Sequence, residues 1–404
     1  MTEPPTAERA VGMELYATPG PPCAGRAKVT PGDFRVEEVI SAEGLEQEWS
    51  AGKYPLYRVE KRSIDTMHMA RELSSGLKSR VSYGGMKDSR AVAVQYVTPT
   101  SLRSSRPTRV EGARYEASLV GYLPRPLSRS SVVANRFEVV LRDCGKEIGE
   151  RVAEALRLAE ARALPNYYGL QRFGASGPGT HSIGRAMVKG DFEGAVKLLV
   201  GGGTKGEEGA PLPKGKDMET RVSKALASHP GEWVRALRAI PVNLRRLYVQ
   251  AYQSYIFNEA LSTALKKDED LSGCRRGDNW ASCGEDGLLL SRVRGVREDP
   301  TADAVPLIQM PGYAYRDYGS RFDRCTGEAL KAEGVVPAQF YLKEMQEASS
   351  EGGFRRPHLA VRDAKWGVNE GTARLSFTLA RGQYATVLLR EMLKPHDPVA
   401  SGLF

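Results

Sequence analysis

The chain has 404 residues, 41% hydrophobic and 26% charged, with 42 Gly and 24 Pro; it exceeds one typical core and reads as two domains of a loop-rich globular protein. No run of about 18 uninterrupted apolar residues is present, which argues against a membrane span, and the polar stretch 1–10 has no apolar signal core, so a cytosolic protein is expected. A formal charge of +9, from 58 Lys and Arg against 49 Asp and Glu, points to a polyanionic partner, and folded nucleic acid is the commonest in the cytosol.

In chain order, Pro31-Gly32 turns into a strand at 33–40, apolar at Phe34, Val36 and Val39. A second strand is predicted at 56–61. Ser63-Ile64-Asp65-Thr66 then offers an N-cap for a helix over 67–77, where Met69, Ala70, Leu73 and Leu77 fall at helical spacing. A glycine turn leads into a strand at 92–98, and further strands are expected at 115–122 and 135–142. Residues 147–163 form an amphipathic helix with the stripe Ile148, Val152, Ala155, Leu156 and Ala159. Strands pairing around helices without βαβ regularity predict an α+β fold.

After Leu164-Pro165 the chain turns mainly helical, with helices predicted at 182–188, 192–199, 217–226, 230–239 and 244–265. The glycine loop 201–206 lacks a Walker continuation, and 274–310 reads as loop-rich. Period-two patterning returns at 359–361 and 373–379. A turn at Arg381-Gly382 precedes a helix over 384–391. The expected organisation is a discontinuous domain, 1–164 with 356–404, around an insertion at 165–355.

Cys274 and Cys283 are nine positions apart, beyond the spacing of a zinc knuckle, and the five histidines show no HxH or HxxxH pattern; no metal site is expected. The chemistry-bearing segment is Gly84-Gly85-Met86-Lys87-Asp88-Ser89-Arg90. Its glycines permit positive φ, so Asp88 can project from the tip of a rigid element. Lys87 and Arg90 favour the ionised carboxylate, a group suited to nucleophilic attack or proton abstraction without a metal. The same residues also describe a polar hairpin tip with a solvated ion pair.

Five blocks occur in one order: Gly85-Met86-Lys87-Asp88 with Ala91 and Gln95; Asn135-Arg136-Phe137; Pro165 through Gly174 (PNYYGLQRFG); Ala251 through Asn258 (AYQSYIFN); and Gly382 through Glu391 (GQYATVLLRE). Together they resemble the TruD family of tRNA pseudouridine synthases, in an archaeal-type version, over about 33–394. One departure is Ala93-Val94, where the family commonly has a threonine before the glutamine.

The resemblance implies the pseudouridine synthase catalytic fold, with a mixed, largely antiparallel sheet and an insertion domain closing over a nucleic-acid cleft. It implies that uridine in tRNA, archetypally at position 13, or in other RNA is detached, rotated and rejoined through C5 without a cofactor. It places the catalytic aspartate on Asp88, the base-stacking aromatic on Phe137 with Asn135 beside it, and a cleft acid on Glu37. Lys87 and Arg390 are the candidates for the cation paired with the aspartate; strand alternation counts against Lys87. A monomer with no obligate protein partner is expected.

The residues leave alternatives open. Phe137 can equally be a core aromatic on its strand. The segment 166–174 is either an RNA contact, through Arg172 and Tyr167 or Tyr168, or a packed domain junction. The helix around Tyr252-Gln253-Ser254-Tyr255 reads as scaffold. A non-catalytic RNA-binding protein and a small-molecule enzyme using the 201–203 loop are the competing function classes.

Overall fold

Residues that alternate between a buried and a solvated face make strands, and the segments Phe34–Ile40, Tyr54–Arg62, Tyr115–Leu123, Val132–Leu141 and much of Thr372–Ala380 obey that rule. The computed structural model describes residues 2–41, 43–87, 91–174, 179–201, 216–284, 293 and 298–404. Among these it contains β1 (Phe34–Ile40), β2 (Tyr54–Arg62), β3 (Val81–Tyr83), β4 (Val92–Pro99), β5 (Arg109–Gly112), β6 (Tyr115–Leu123) and β7 (Val132–Leu141). There follow β8 (Asn279–Ser282), β9 (Ala304–Met310), β10 (Gly353–Arg355), β11 (Val361–Asn369) and β12 (Thr372–Ala380).

Nine strands form one sheet in the order β11-β12-β7-β1-β4-β2-β6-β5, with β3 also on β4; β10-β9-β8 form a second. Only β1 and β4 run parallel, so the sheet is mixed and largely antiparallel, and the fold is α+β. While β2 follows one edge of β4 from Val92 to Val97, the other edge is shared. β1 takes Val92–Val94 and β3 takes Val97–Pro99, which leaves Gln95 and Tyr96 between them. There the Glu38 carboxylate accepts the Tyr96 N–H at 2.9 Å, supplying the acceptor a strand would have provided.

One face of the sheet is covered by the helices Thr66–Gly76, Ile148–Glu160 and Ala385–Leu393. The first is N-capped by Asp65, as its sequence predicts, through the N–H groups of Met67 and His68. The opposite face carries ion pairs between neighbouring strands: Arg35 with Glu60 at 3.1 Å, and Arg58 with Glu37 at 3.3 Å. The helix Val242–Lys266 is apolar on both sides. Phe257 and Leu261 join the core beneath the sheet, and Val249, Tyr252 and Ile256 join a second core among the surrounding helices. Packed side chains therefore run across the boundary expected at 164/165. Among the described residues no helix is long and apolar enough to cross a membrane.

Several elements differ from expectation, and three show why. Residues 304–310, expected in a loop, form β9, whose continuous burial erases the alternating signal. The helix Arg321–Glu333 went unpredicted, although Ser320 and Asp323 form a capping box and Gly334 (φ 63°) ends it. β11 extends well past Val361 as an exposed edge strand, bulged where Asp363 takes φ 53°, and exposure removes its apolar pattern.

The irregular N-terminal segment is held by buried charge. Arg390, on the last helix, places Nε 2.6 Å from Glu8 and Nη1 2.7 Å from Glu391, and its Nη2 donates to the Leu15 carbonyl at 2.9 Å. Its guanidinium lies 4.0 Å from the Tyr16 ring centre. Glu391 in turn accepts the N–H groups of Ala17 and Thr18, and Lys394 donates to the carbonyls of Thr18, Pro19 and Gly20. Removing one partner of such a pair strands the others without solvent. Arg390→Met is expected to destabilise the protein by about 3–5 kcal/mol in chemical denaturation, whereas a neutral exchange at exposed Arg374 leaves the midpoint unchanged.

Two histidines are buried uncharged. His358 hydrogen-bonds the Leu271 carbonyl at 2.8 Å, and His181 stacks on Tyr255; burial first, then neighbouring arginines, lowers both to about 4. Between about pH 4 and the ordinary histidine value near 6.5, the unfolded chain binds more protons than the native one. Stability is thus expected to fall from pH 7 to pH 5 by about 1–2 kcal/mol per histidine, and His358→Asn should flatten the dependence of melting temperature on pH.

Candidate active site

Strand alternation places Phe34, Val36 and Glu38 of β1 on the helix-covered face, and register carries that face onto the neighbouring strands. Phe137 lies opposite Val36 and Asn135 opposite Glu38 on β7, while Phe377 of β12 lies opposite Phe137. Phe34, Val36, Glu38, Asn135 and Phe137 line a cleft of about 330 Å³, with Phe377 packed behind Phe137 and outside the lining. Its other walls are Gly84, Gly85, Met86 and Lys87, the turn from Arg381 to Thr386, and the side chains of Lys28 and Gln171.

The floor is aromatic. Phe137 stacks on Phe377 with ring centres 5.4 Å apart and meets Phe34 edge-on at 5.9 Å. The two readings of Phe137 therefore both hold, because it is buried in the core and also walls the cleft. One end of the cleft is polar: Lys87 Nζ lies 3.1 Å from Glu38 Oε1 and donates to Asn135 Oδ1 at 2.6 Å. The Glu38 side chain is fully buried, so this cation serves as its counter-charge.

The turn that carries Lys87 is fastened from below. Its N–H donates to the Thr66 hydroxyl at 2.9 Å, and that hydroxyl donates to Gln95 Oε1 at 3.0 Å. Lys61, fully buried on β2, donates to the Ile64 carbonyl at 2.7 Å and to the Lys87 carbonyl at 3.4 Å. The backbone one residue ahead of Asp88 is thus pinned by a helix N-terminus and by a buried ammonium.

Lys87, Asn135 and Phe137 come together at the cleft. Asp88, with Ser89 and Arg90, lies outside the described residues. Glu37 does not reach the cleft: it points to the other face and pairs with Arg58, and its neighbour Glu38 occupies the position expected of it. A one-residue step along a strand reverses the face, so the motif's second acid is the inward one. Arg390 is also displaced from expectation, since each of its three guanidinium nitrogens donates to Glu8, Glu391 or the Leu15 carbonyl. Gly84 and Gly85 are not in positive-φ conformations. Gly84 is required for closeness instead, because a Cβ there would sit 2.1 Å from Val132 Cγ2.

The segment 166–174 is a packed junction, with Asn166, Tyr167 and Phe173 buried, Arg172 bonded to Ser254, and Gln171 alone reaching the cleft. Asn258 scaffolds it by accepting the Tyr168 N–H and donating to the carbonyls of Val11 and Tyr168. In the glycine loop, 202–206 lie outside the described residues. Sequence reasoning missed Lys28, Glu38, Lys61 and Gln171. Lys61 carried a usable signal, a charge at an inward position of an alternating strand; Lys28, whose ammonium sits 4.9 Å from the Phe34 ring centre, lies in an irregular segment and carried none.

The model of tRNA pseudouridine synthase D (TruD) matches residues 10–392. A Pyrobaculum arsenaticum protein assigned as tRNA pseudouridine synthase D is 32% identical, with both chains covered completely, and one from Pyrobaculum neutrophilum is 33% identical with the same coverage. A crystal structure from Methanosarcina mazei, assigned to the same protein type, superposes with a TM-score of 0.76 at 26% identity, covering 99% of this chain and 100% of that one. The match spans the sheet, the cleft and the helical part alike, and the chain belongs to the tRNA pseudouridine synthase D (TruD) family, whose members are isomerases.

Proposed function

We propose that this chain is a tRNA pseudouridine synthase that isomerises a uridine held in the Phe137 cleft, with the Asp88 carboxylate as the reacting group. The reading is carried by one observation: the turn Gly84–Lys87 delivers the chain to the wall of the cleft that Phe137 floors. Asp88 follows Lys87, a cleft residue, directly in the chain. A base must leave the helical stack before its glycosidic bond can be reached. The floor of Phe34 and Phe137, backed by Phe377, offers it an apolar resting face, and a phenylalanine brings no hydroxyl to compete in proton transfer.

Within the cleft the glycosidic N1–C1′ bond breaks, the freed uracil turns, and C5 bonds to C1′; the C5 proton is lost and N1 gains one. Asp88 serves as nucleophile at the ribose or as base toward its C2′ hydrogen. Asn135, held by Lys87, presents amide hydrogen-bonding groups toward the edge of the uracil. Lys61 and Thr66 act through Lys87, fixing the backbone that presents the carboxylate. We take residues 165–355 as an insertion that closes over the bound RNA, and place the protein in the cytoplasm as a monomer. No cofactor enters this scheme.

Asp88→Asn is expected to abolish conversion of unmodified tRNA transcripts, read by carbodiimide mapping at single-nucleotide resolution, while RNA affinity stays within about threefold. Pseudouridine formation that survives in this variant refutes the assignment; loss of RNA binding alongside it would favour a purely structural role for the acid. For the polar end of the cleft, Lys87→Met should leave Glu38 as a buried unpaired charge, destabilising the protein by about 2–4 kcal/mol and lowering kcat about 10–100-fold. Adding Glu38→Gln should recover stability in denaturation but not turnover.

A further inference from the structure

Most arginines on the open face of the sheet are neutralised by neighbouring acids: Arg35 and Arg62 by Glu60, and Arg58 by Glu37. One cluster of cations is different. Lys78, Arg80, Arg103 and Arg106 are exposed, and among the described residues none has an ion-pair partner. They are gathered by the backbone. The Thr100 N–H donates to the Arg80 carbonyl at 2.8 Å, the Ser101 N–H to Ser79 Oγ at 3.2 Å, and the Ser105 N–H to the Leu77 carbonyl at 3.1 Å. The loop after β4 is thereby laid against the end of the helix Thr66–Gly76. Arg106 places its guanidinium 4.2 Å from the ring centre of Trp49, whose side chain is 51% exposed.

That helix sets the distance to the cleft. Thr66 at its start bonds Lys87 of the cleft wall, and Gly76 at its end accepts from Ser105 of the cationic loop. Its 11 residues span about 16 Å, and it lies on the cleft face of the sheet. A flipped nucleotide cannot reach both places, whereas a folded RNA can. Unpaired cations beside an open indole are the combination that grips phosphates and stacks an unpaired base.

Building on the proposed tRNA substrate, we infer that Trp49, Arg103, Arg106, Lys78 and Arg80 form a second RNA-docking surface, which holds the body of the substrate about 16 Å from the reacting uridine. The cations engage backbone phosphates without regard to sequence, and Trp49, backed by Arg106, stacks an exposed base. The surface acts on binding and not on the chemical step.

The test uses the full-length protein and an unmodified tRNA transcript, with affinity measured by fluorescence anisotropy and turnover measured separately. Arg103→Glu/Arg106→Glu is expected to raise Kd and KM about tenfold, to leave kcat within about twofold, and to make the slope of log Kd against log salt shallower by about two. Trp49→Ala should raise Kd about five- to tenfold, with most of the loss recovered in Trp49→Phe. Arg62→Glu, on the ion-paired face, should change Kd by less than about twofold. Melting curves for each variant within about 2 °C of wild type establish that the fold is kept. Unchanged Kd in the double variant, an equal loss in Arg62→Glu, or a fall in kcat with KM unmoved would each overturn the inference. A wild-type protein that binds the transcript without forming pseudouridine overturns the catalytic proposal alone, and the binding measurements still decide for or against the surface.

Discussion

A strand in the middle of a sheet must satisfy its backbone on both edges, and β4 cannot do so with strands alone. β1 and β3 each take part of one edge and stop, leaving the Tyr96 N–H to the Glu38 carboxylate. Much of the site follows from that gap. The carboxylate is buried to serve as acceptor, a buried anion calls for a cation, and Lys87 answers from the turn that follows β3. Once held by Glu38, Lys87 orients Asn135, and its own backbone is fastened by Thr66 and Lys61. A requirement of sheet hydrogen bonding thus becomes the polar end of a binding cleft.

A second constraint closes the molecule on itself. The N-terminal segment has little regular structure, yet Glu8 and Thr18 are buried, because Arg390, Glu391 and Lys394 on the last helix supply partners for its side chains and carbonyls. The last helix follows the turn from Arg381 to Thr386, which forms one wall of the cleft. The buried ion cluster therefore anchors that wall from behind. This explains why an arginine six residues into the last helix has no part in the cleft: its charge is engaged by the structure that positions the wall.

The two faces of the sheet use charge in opposite ways. On the open face, Arg35, Arg58 and Arg62 are paired with Glu60 or Glu37, which cancels their charge locally. Near the end of the helix Thr66–Gly76 the cations are uncancelled and an indole stands open beside them.

Local pattern was enough to reveal β1, β2, β6, β7 and β12 and the Asp65-capped helix, because each buries one face and writes that face into its residue spacing; β4, buried on both faces, was legible instead from its β-branched run after the glycine turn. The motif order was also enough to identify the family. Elements with both faces buried, such as β9, or nearly everything exposed, such as β11, carry no alternation and became visible only when folded. Side-chain destination was the other hidden quantity. Glu37 and Glu38 are the same residue type; the parity of Phe34 and Val36 puts Glu38 on the inward face, but only the fold brought Lys87 against it. Arg390 looked free for an active-site acid until the N-terminal segment, 382 positions away, brought Glu8 against it. Composition and periodicity are properties of neighbours along the chain, whereas the partner of a buried charge is set by which distant segments share its volume.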